Sequence, residues 1–294
     1  MTPTIIIREV KEIKVFKEIK GSRGGLWVLG KMCTFADMLR TIDLSVGYRD
    51  GGKERRLLTG LNVHLAEGQL VALLGRNGAG KSTLLRALTG SDKPLSGRVE
   101  FRGVDVSTLT ALERARLVGL VSTDRIQAGG LTVRELVGMG RQPYTGFLGR
   151  LGDEDKNRVA EGMDAVGITS KADSYLSSLS DGERQKAMIA RVLVQRTPLI
   201  VLDEPTAFLD VASRIEIMGL LRRLAHEGGR SVLLSSHDVS QSLQLADRLW
   251  IITDDGQLLD GTPRELVNCG AMDRVFGSRL VRFNPTLLDY ESAD

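Results

Sequence analysis

The stretch 69–90, "QLVALLGRNGAGKSTLLRALTG", limits the fold more than any other part of the chain. Its first seven residues are nearly all apolar and end in glycine, the pattern of a strand buried on both faces of a parallel sheet. "KSTLLRALTG" reads as a helix closed by Gly90. The join matches G-x-x-x-x-G-K-[ST], spelled Gly75, Arg76, Asn77, Gly78, Ala79, Gly80, Lys81, Ser82, Thr83. Such glycines let backbone N–H groups wrap phosphate oxygens; Lys81 reaches the terminal phosphates and the Ser82 hydroxyl suits Mg2+. Strand, glycine-rich loop and helix open an α/β nucleotide-binding fold.

The flanking patterns extend this reading. "TIDLSVGY" (41–48) alternates as a strand, "RDGGKE" supplies a turn, and "RLLTGLNVHLAEG" (56–68) reads as a further strand pair. From about Thr108 to Ser178 the patterns are mainly helical: 109–117, 131–141 with Thr132 and Glu135 as a capping box, and 153–168 with acids at its start. Parallel-sheet signals return with "PLIVLDEP" and "SVLLSSHD", separated by an amphipathic helix. A hairpin around Asp255-Gly256 and a short helix follow.

Three further motifs carry chemistry. "LIVLDEP" puts Asp203 and Glu204 at the end of a buried strand, where parallel sheets bind ligands. Asp203 suits a Mg2+ shell, and Glu204 can orient or deprotonate a water. "SSHD" sets His237 at another strand end on the same side, able to hydrogen-bond a γ-phosphate. "SLSDGERQKA" (178–187) reads as a capped helix start, with Ser180 and Glu183 as the box and N–H groups that attract an anion. One chain thus carries two anion sites.

In this order and spacing, the P-loop, "LSDGERQ", "LIVLDEP", "FLD" and "SSHD" resemble the ATP-binding-cassette (ABC) ATPases over residues 39–273. The resemblance implies a P-loop NTPase of that type, with a β-rich N-terminal subdomain and an inserted helical subdomain at about 108–178. Residues 38–273 would form the ATPase domain, 1–37 an extension and 274–294 a C-terminal tail. It implies ATP and Mg2+ as ligands, ATP hydrolysis as the reaction, and a second copy as partner. Ser180, Asp181, Gly182 and Glu183 would then close over the γ-phosphate held by the other copy's P-loop. Tyr48 matches the aromatic that stacks on adenine, with a longer turn after it than is usual. Asp210 matches the loop linking the two sites, and Arg76 takes a position where the family varies. The family's metal-touching glutamine is replaced: counting back from "LTV" puts Thr123 there, with Asp124 adjacent and Gln127 three residues on.

What such an ATPase drives is narrowed by "GRQPY", where Gly140, Arg141, Pro143 and Tyr144 resemble importers of siderophores, haem and vitamin B12. Their ATPases dock peripherally on separate permeases at the cytoplasmic face of the membrane, served indirectly by a substrate-binding protein. Competing readings are a small-molecule kinase, a nucleotide-gated scaffold with little hydrolysis, an ABC ATPase outside transport, and an exporter subunit.

Bulk properties agree. No run of about 18 apolar residues is present, so no transmembrane helix is expected. Two distant cysteines, Cys33 and Cys269, suggest no disulfide framework. Residues 1–37 hold seven Lys/Arg and four Asp/Glu and so account for the whole net charge of +3; the rest has no charge reason to bind nucleic acid. That first stretch, with a weak helical stripe, reads as a dispensable extension or an early start assignment, with Met32 and Met38 just before the ordered pattern. A membrane-surface helix and a signal peptide are the other readings; a signal peptide lacks its apolar run.

Overall fold

The computed structural model describes residues 37–51, 53–122, 130–146, 149–207, 209–278 and 281–292. The readings placed on 1–36 and on Thr123, Asp124 and Gln127 lie outside the described residues. The first strand begins at Asp37, which pairs with Ala66, one residue inside the expected extension.

Two sheets organise the body. The strands β1 (Asp37–Asp50), β2 (Lys53–Leu61) and β3 (His64–Ala66) are followed by β4 (Leu70–Gly75) and helix α1 (Lys81–Leu88). Then come β5 (Ser96–Phe101), β6 (Val104–Asp105), α2 (Ala111–Leu117) and β7 (Val118–Val121). Strands β1, β2, β3, β5 and β6 form an antiparallel sheet in the order β2-β1-β5-β6, with β3 against β1. After Tyr48 the strand pairing continues: Tyr48 pairs with Arg55, Arg49 with Glu54 and Asp50 with Lys53.

The helices α3 (Val133–Met139), α4 (Asp153–Ala165) and α5 (Asp181–Gln195) follow, then β8 (Leu199–Leu202), α6 (Val211–His226), β9 (Ser231–Ser235) and α7 (Val239–Leu245). The chain continues through β10 (Arg248–Ile252), β11 (Leu258–Gly261), α8 (Pro263–Asn268) and α9 (Ala271–Phe276) to a hairpin of β12 (Val281–Asn284) and β13 (Asp289–Ser292). The second sheet runs β11-β10-β4-β9-β8-β7, parallel except for β11. Because β7 pairs with β8, residues 118–121 belong to this sheet. Helix α2 precedes them, so the stretch expected to be mainly helical from about Thr108 is interrupted by this strand.

The two faces of this sheet show why its strands read as continuous apolar runs. Val71 and Leu73 pack with α1 and the antiparallel sheet. Leu70, Ala72 and Leu74 pack on the opposite face, in the cluster holding the buried residues of α3 to α7. Successive side chains alternate faces, so a strand covered on both sides must be apolar at every position.

The helical part closes on α5 through small residues. A Cβ at Gly140 would overlap the Arg191 carbonyl oxygen, and one at Gly162 would overlap Val194. Arg141, 6% exposed, ties the junction together. It donates to Asp155 at 2.8 Å and to the Val194 carbonyl at 2.7 Å, and its guanidinium lies 4.2 Å from the Tyr144 ring centre. The C-terminal tail is folded: Phe283 is buried and meets Tyr290 edge-on at 5.3 Å.

Candidate functional site

Strands β4, β9 and β8 are consecutive neighbours running the same way, so their C-terminal ends lie side by side. The P-loop leaves β4, His237 follows β9, and Asp203 and Glu204 follow β8. The sheet itself thus gathers motifs that lie far apart in sequence.

In the P-loop, Gly78 and Gly80 have φ of 79° and 99°, a left-handed backbone that glycine adopts without Cβ strain. Lys81 is buried, and its ammonium donates to the Gly75 carbonyl at 2.9 Å and the Arg76 carbonyl at 3.4 Å. Burial pushes this ammonium below its ordinary value, while the charges of Glu204 and Asp203 pull it back up. Ser82 is exposed and Thr83 is buried. Tyr48 is 47% exposed, free to offer a ring face, and its hydroxyl is 2.5 Å from Thr83 Oγ1. Asn77 is exposed, and Arg76 pairs with Asp254 at 3.1 Å across the loop after β10.

At the ends of β8 and β9, Asp203 is buried and accepts from Ser235 Oγ at 2.6 Å. Glu204 has φ of 50°, and its Oε1 lies 3.3 Å from His237 Nδ1. Sequence reasoning missed Ser235; the available signal was a serine on the same strand, two residues ahead of His237.

The helix start at Ser180 forms as expected. Glu183 Oε2 accepts from the Ser180 N–H at 2.9 Å and from its hydroxyl at 3.1 Å, and the Glu183 N–H donates back to Ser180 Oγ at 3.3 Å. That backbone bond and the Lys171 ammonium 3.1 Å away hold the Glu183 carboxyl below its usual range. Ser180, Asp181, Gly182 and Glu183 line a cavity of about 340 Å³ with Lys186, Asp210 and Ser213. Asp210 caps α6 by accepting the Ser213 N–H at 2.8 Å. Among the described residues, no hydrogen bond or ion pair joins 180–183 to the P-loop of the same chain. The P-loop and the helix start at Ser180 are thus two surfaces with no such bond between them.

The family model described as ABC transporter matches residues 58–207. The chain belongs to the ABC transporter family. The ferric enterobactin transport ATP-binding protein FepC of Escherichia coli is 36% identical over 241 residues, 82% of this chain and 88% of its own. The cobalamin import ATP-binding protein BtuD of Halobacterium salinarum is 37% identical over 226 residues, 76% of this chain and 56% of its own. Among solved structures, the dimeric post-hydrolysis state of the ATP-binding cassette MJ0796, bound to ADP and Pi, matches with a TM-score of 0.69 and 27% identity. That match covers 77% of this chain and 99% of the other. This ABC subunit binds ATP and hydrolyses it to ADP and phosphate, coupled to transport. No helix among the described residues is long and apolar enough to cross a membrane.

Proposed function

We propose that this ABC ATPase powers uptake of a metal-chelate cargo (siderophore, haem or cobalamin) through a separate permease, at the cytoplasmic face of the membrane. The similarity to FepC over most of both chains carries this reading. "GRQPY" has a packing role as well: Arg141 joins α4 to α5, and Tyr144 donates to the Gln195 carbonyl at the end of α5.

Two copies would enclose two ATP molecules, each between one copy's P-loop and the other copy's Ser180–Glu183. The cavity at Ser180 is lined by Asp210 and by no P-loop residue, which supports that arrangement. Lys81 and the loop amides of 75–83 would hold the phosphates, and Tyr48 the base. Glu204 would take the proton of the attacking water, and His237, paired with it, would hold the γ-phosphate in line. Phosphoryl transfer needs mainly positioning and charge stabilisation, and these groups supply both. Ser82 and Asp203 fit Mg2+, being hard oxygen donors, few in number, that leave room for phosphate and water. Bound there, Mg2+ would neutralise phosphate charge. Closing and reopening of the dimer would move permease helices docked near residues 123–150.

Co-purification with the membrane partner tests the cargo. ATP hydrolysis should rise on delivery of a siderophore, haem or cobalamin complex. Stimulation by none of the three would remove the chelate-import reading.

A further inference from the structure

Ser235 is fully buried, and its hydroxyl is engaged on two sides. Oγ donates to Asp203 Oδ1 at 2.6 Å and accepts the Glu204 backbone N–H at 2.8 Å. A hydroxyl offers one proton and two lone pairs, so both bonds hold together. The first is as short as charge-assisted O–H···O⁻ bonds are.

The register explains the placement. Leu202 pairs with Leu234, which brings the next residues, Asp203 and Ser235, abreast. On its other side Ser235 pairs with Leu73, two residues before Gly75. Ser235 thus stands between the strand that ends in the P-loop and the strand that ends in the two acids. Glu204 adopts φ of 50°, a left-handed conformation that a residue with a side chain keeps only where neighbours hold it. The bond to its N–H comes from Ser235.

We infer that Ser235 is a positioning residue for ATP hydrolysis, fixing the Asp203 carboxylate and the Glu204 backbone as one unit. The inference rests on the roles proposed for Asp203 and Glu204. One oxygen of Asp203 is held by Ser235, which fixes the carboxylate plane and leaves the other for a metal ion or its water. The backbone bond sets where the Glu204 carboxylate meets His237. An apolar residue at 235 would leave a buried carboxylate oxygen and a backbone N–H unpartnered. Grip on the nucleotide would change little, because Lys81 and the loop amides do not touch Ser235.

The test uses Ser235→Ala, Ser235→Cys and Ser235→Thr in the full chain. Cysteine fills the place of the hydroxyl with a larger group that is a much weaker donor, so its effect does not stem from lost packing. Ala and Cys should lower kcat by about 10- to 100-fold, with KM for ATP changed by less than about threefold. Thr, which keeps the hydroxyl, should recover most of the turnover. With ATP bound, affinity for Mn2+ read by electron paramagnetic resonance should fall by no more than about threefold in Ala and Cys, in step with KM. Wild-type kcat in both, or a raised KM at unchanged kcat, would overturn the role of Ser235. Glu204→Gln measured alongside separates the two levels. If Glu204→Gln stops turnover while Ser235→Ala does not, only Ser235 loses its role; if Glu204→Gln turns over at full rate, the roles of the acids fall too.

Discussion

His237 Nδ1 lies 3.3 Å from Glu204 Oε1, so residues that leave adjacent strands meet in one close pair. With His237 half exposed, its remaining nitrogen is free to meet a phosphate. His237→Ala should lower kcat by about 10²- to 10³-fold, the usual cost of a lost stabilising donor, with a much smaller change in ATP binding. Steady-state turnover and equilibrium binding of a fluorescent nucleotide would show the split. Equal losses in both would place His237 in general nucleotide grip.

Glu204 carries the harder assignment. Glu204→Gln keeps the size of the side chain and removes its basicity. ATP binding should survive, and turnover should fall to background, by about 10²-fold or more. Single-turnover quench-flow separates the two steps. Hydrolysis at the wild-type rate would take Glu204 out of the chemistry.

Three of the capping boxes give the acid limb of stability a definite sign. The carboxyls of Glu135, Glu183 and Glu265 are held below their ordinary 4.5, mainly by the backbone N–H of Thr132, Ser180 and Thr262 respectively. A carboxyl lowered on folding adds stability that is full above its unfolded value and is lost as pH falls through the folded one. Thermal melting should therefore drop below pH 4.5. Glu→Gln at all three positions should make that drop shallower, measured by circular dichroism from pH 7 down to about 3. An unchanged slope would mean that the boxes contribute nothing to acid stability.

Gly140 sits where the end of α3 meets α5, with no room for a methyl group beside the Arg191 carbonyl. Gly140→Ala should destabilise the protein by about 1–3 kcal/mol, the range for overpacking. At Gly146 a methyl group would meet nothing within 4 Å, so alanine should be tolerated within about 0.5 kcal/mol. Urea unfolding of both variants decides the matter; equal midpoints would contradict the close approach.

Much of this was legible in the sequence because its signals are local. The P-loop is a contiguous run whose strand and helix flanks announce themselves. Thr132/Glu135 and Ser180/Glu183 are three residues apart and form the boxes their spacing implies. What escaped depends on register and on contacts between distant segments. Ser235 looks like any strand serine until Leu202 is seen opposite Leu234. Arg141 reads only as part of "GRQPY" until Asp155 and the Val194 carbonyl close around it. The final hairpin depends on Phe283 finding a buried place that no periodicity foretells.

The measurement closest to the core of the mechanism is complementation between two inactive variants. Lys81→Ala spoils the P-loop, and Ser180→Ala with Gly182→Asp spoils the signature. Each alone should be inactive. Mixed in equal amounts with ATP, random pairing gives half mixed dimers, each with one intact site, so about a quarter of wild-type turnover should return. A mixture as inactive as its two parents would show that Ser180 and Gly182 serve their own chain's nucleotide, not their partner's.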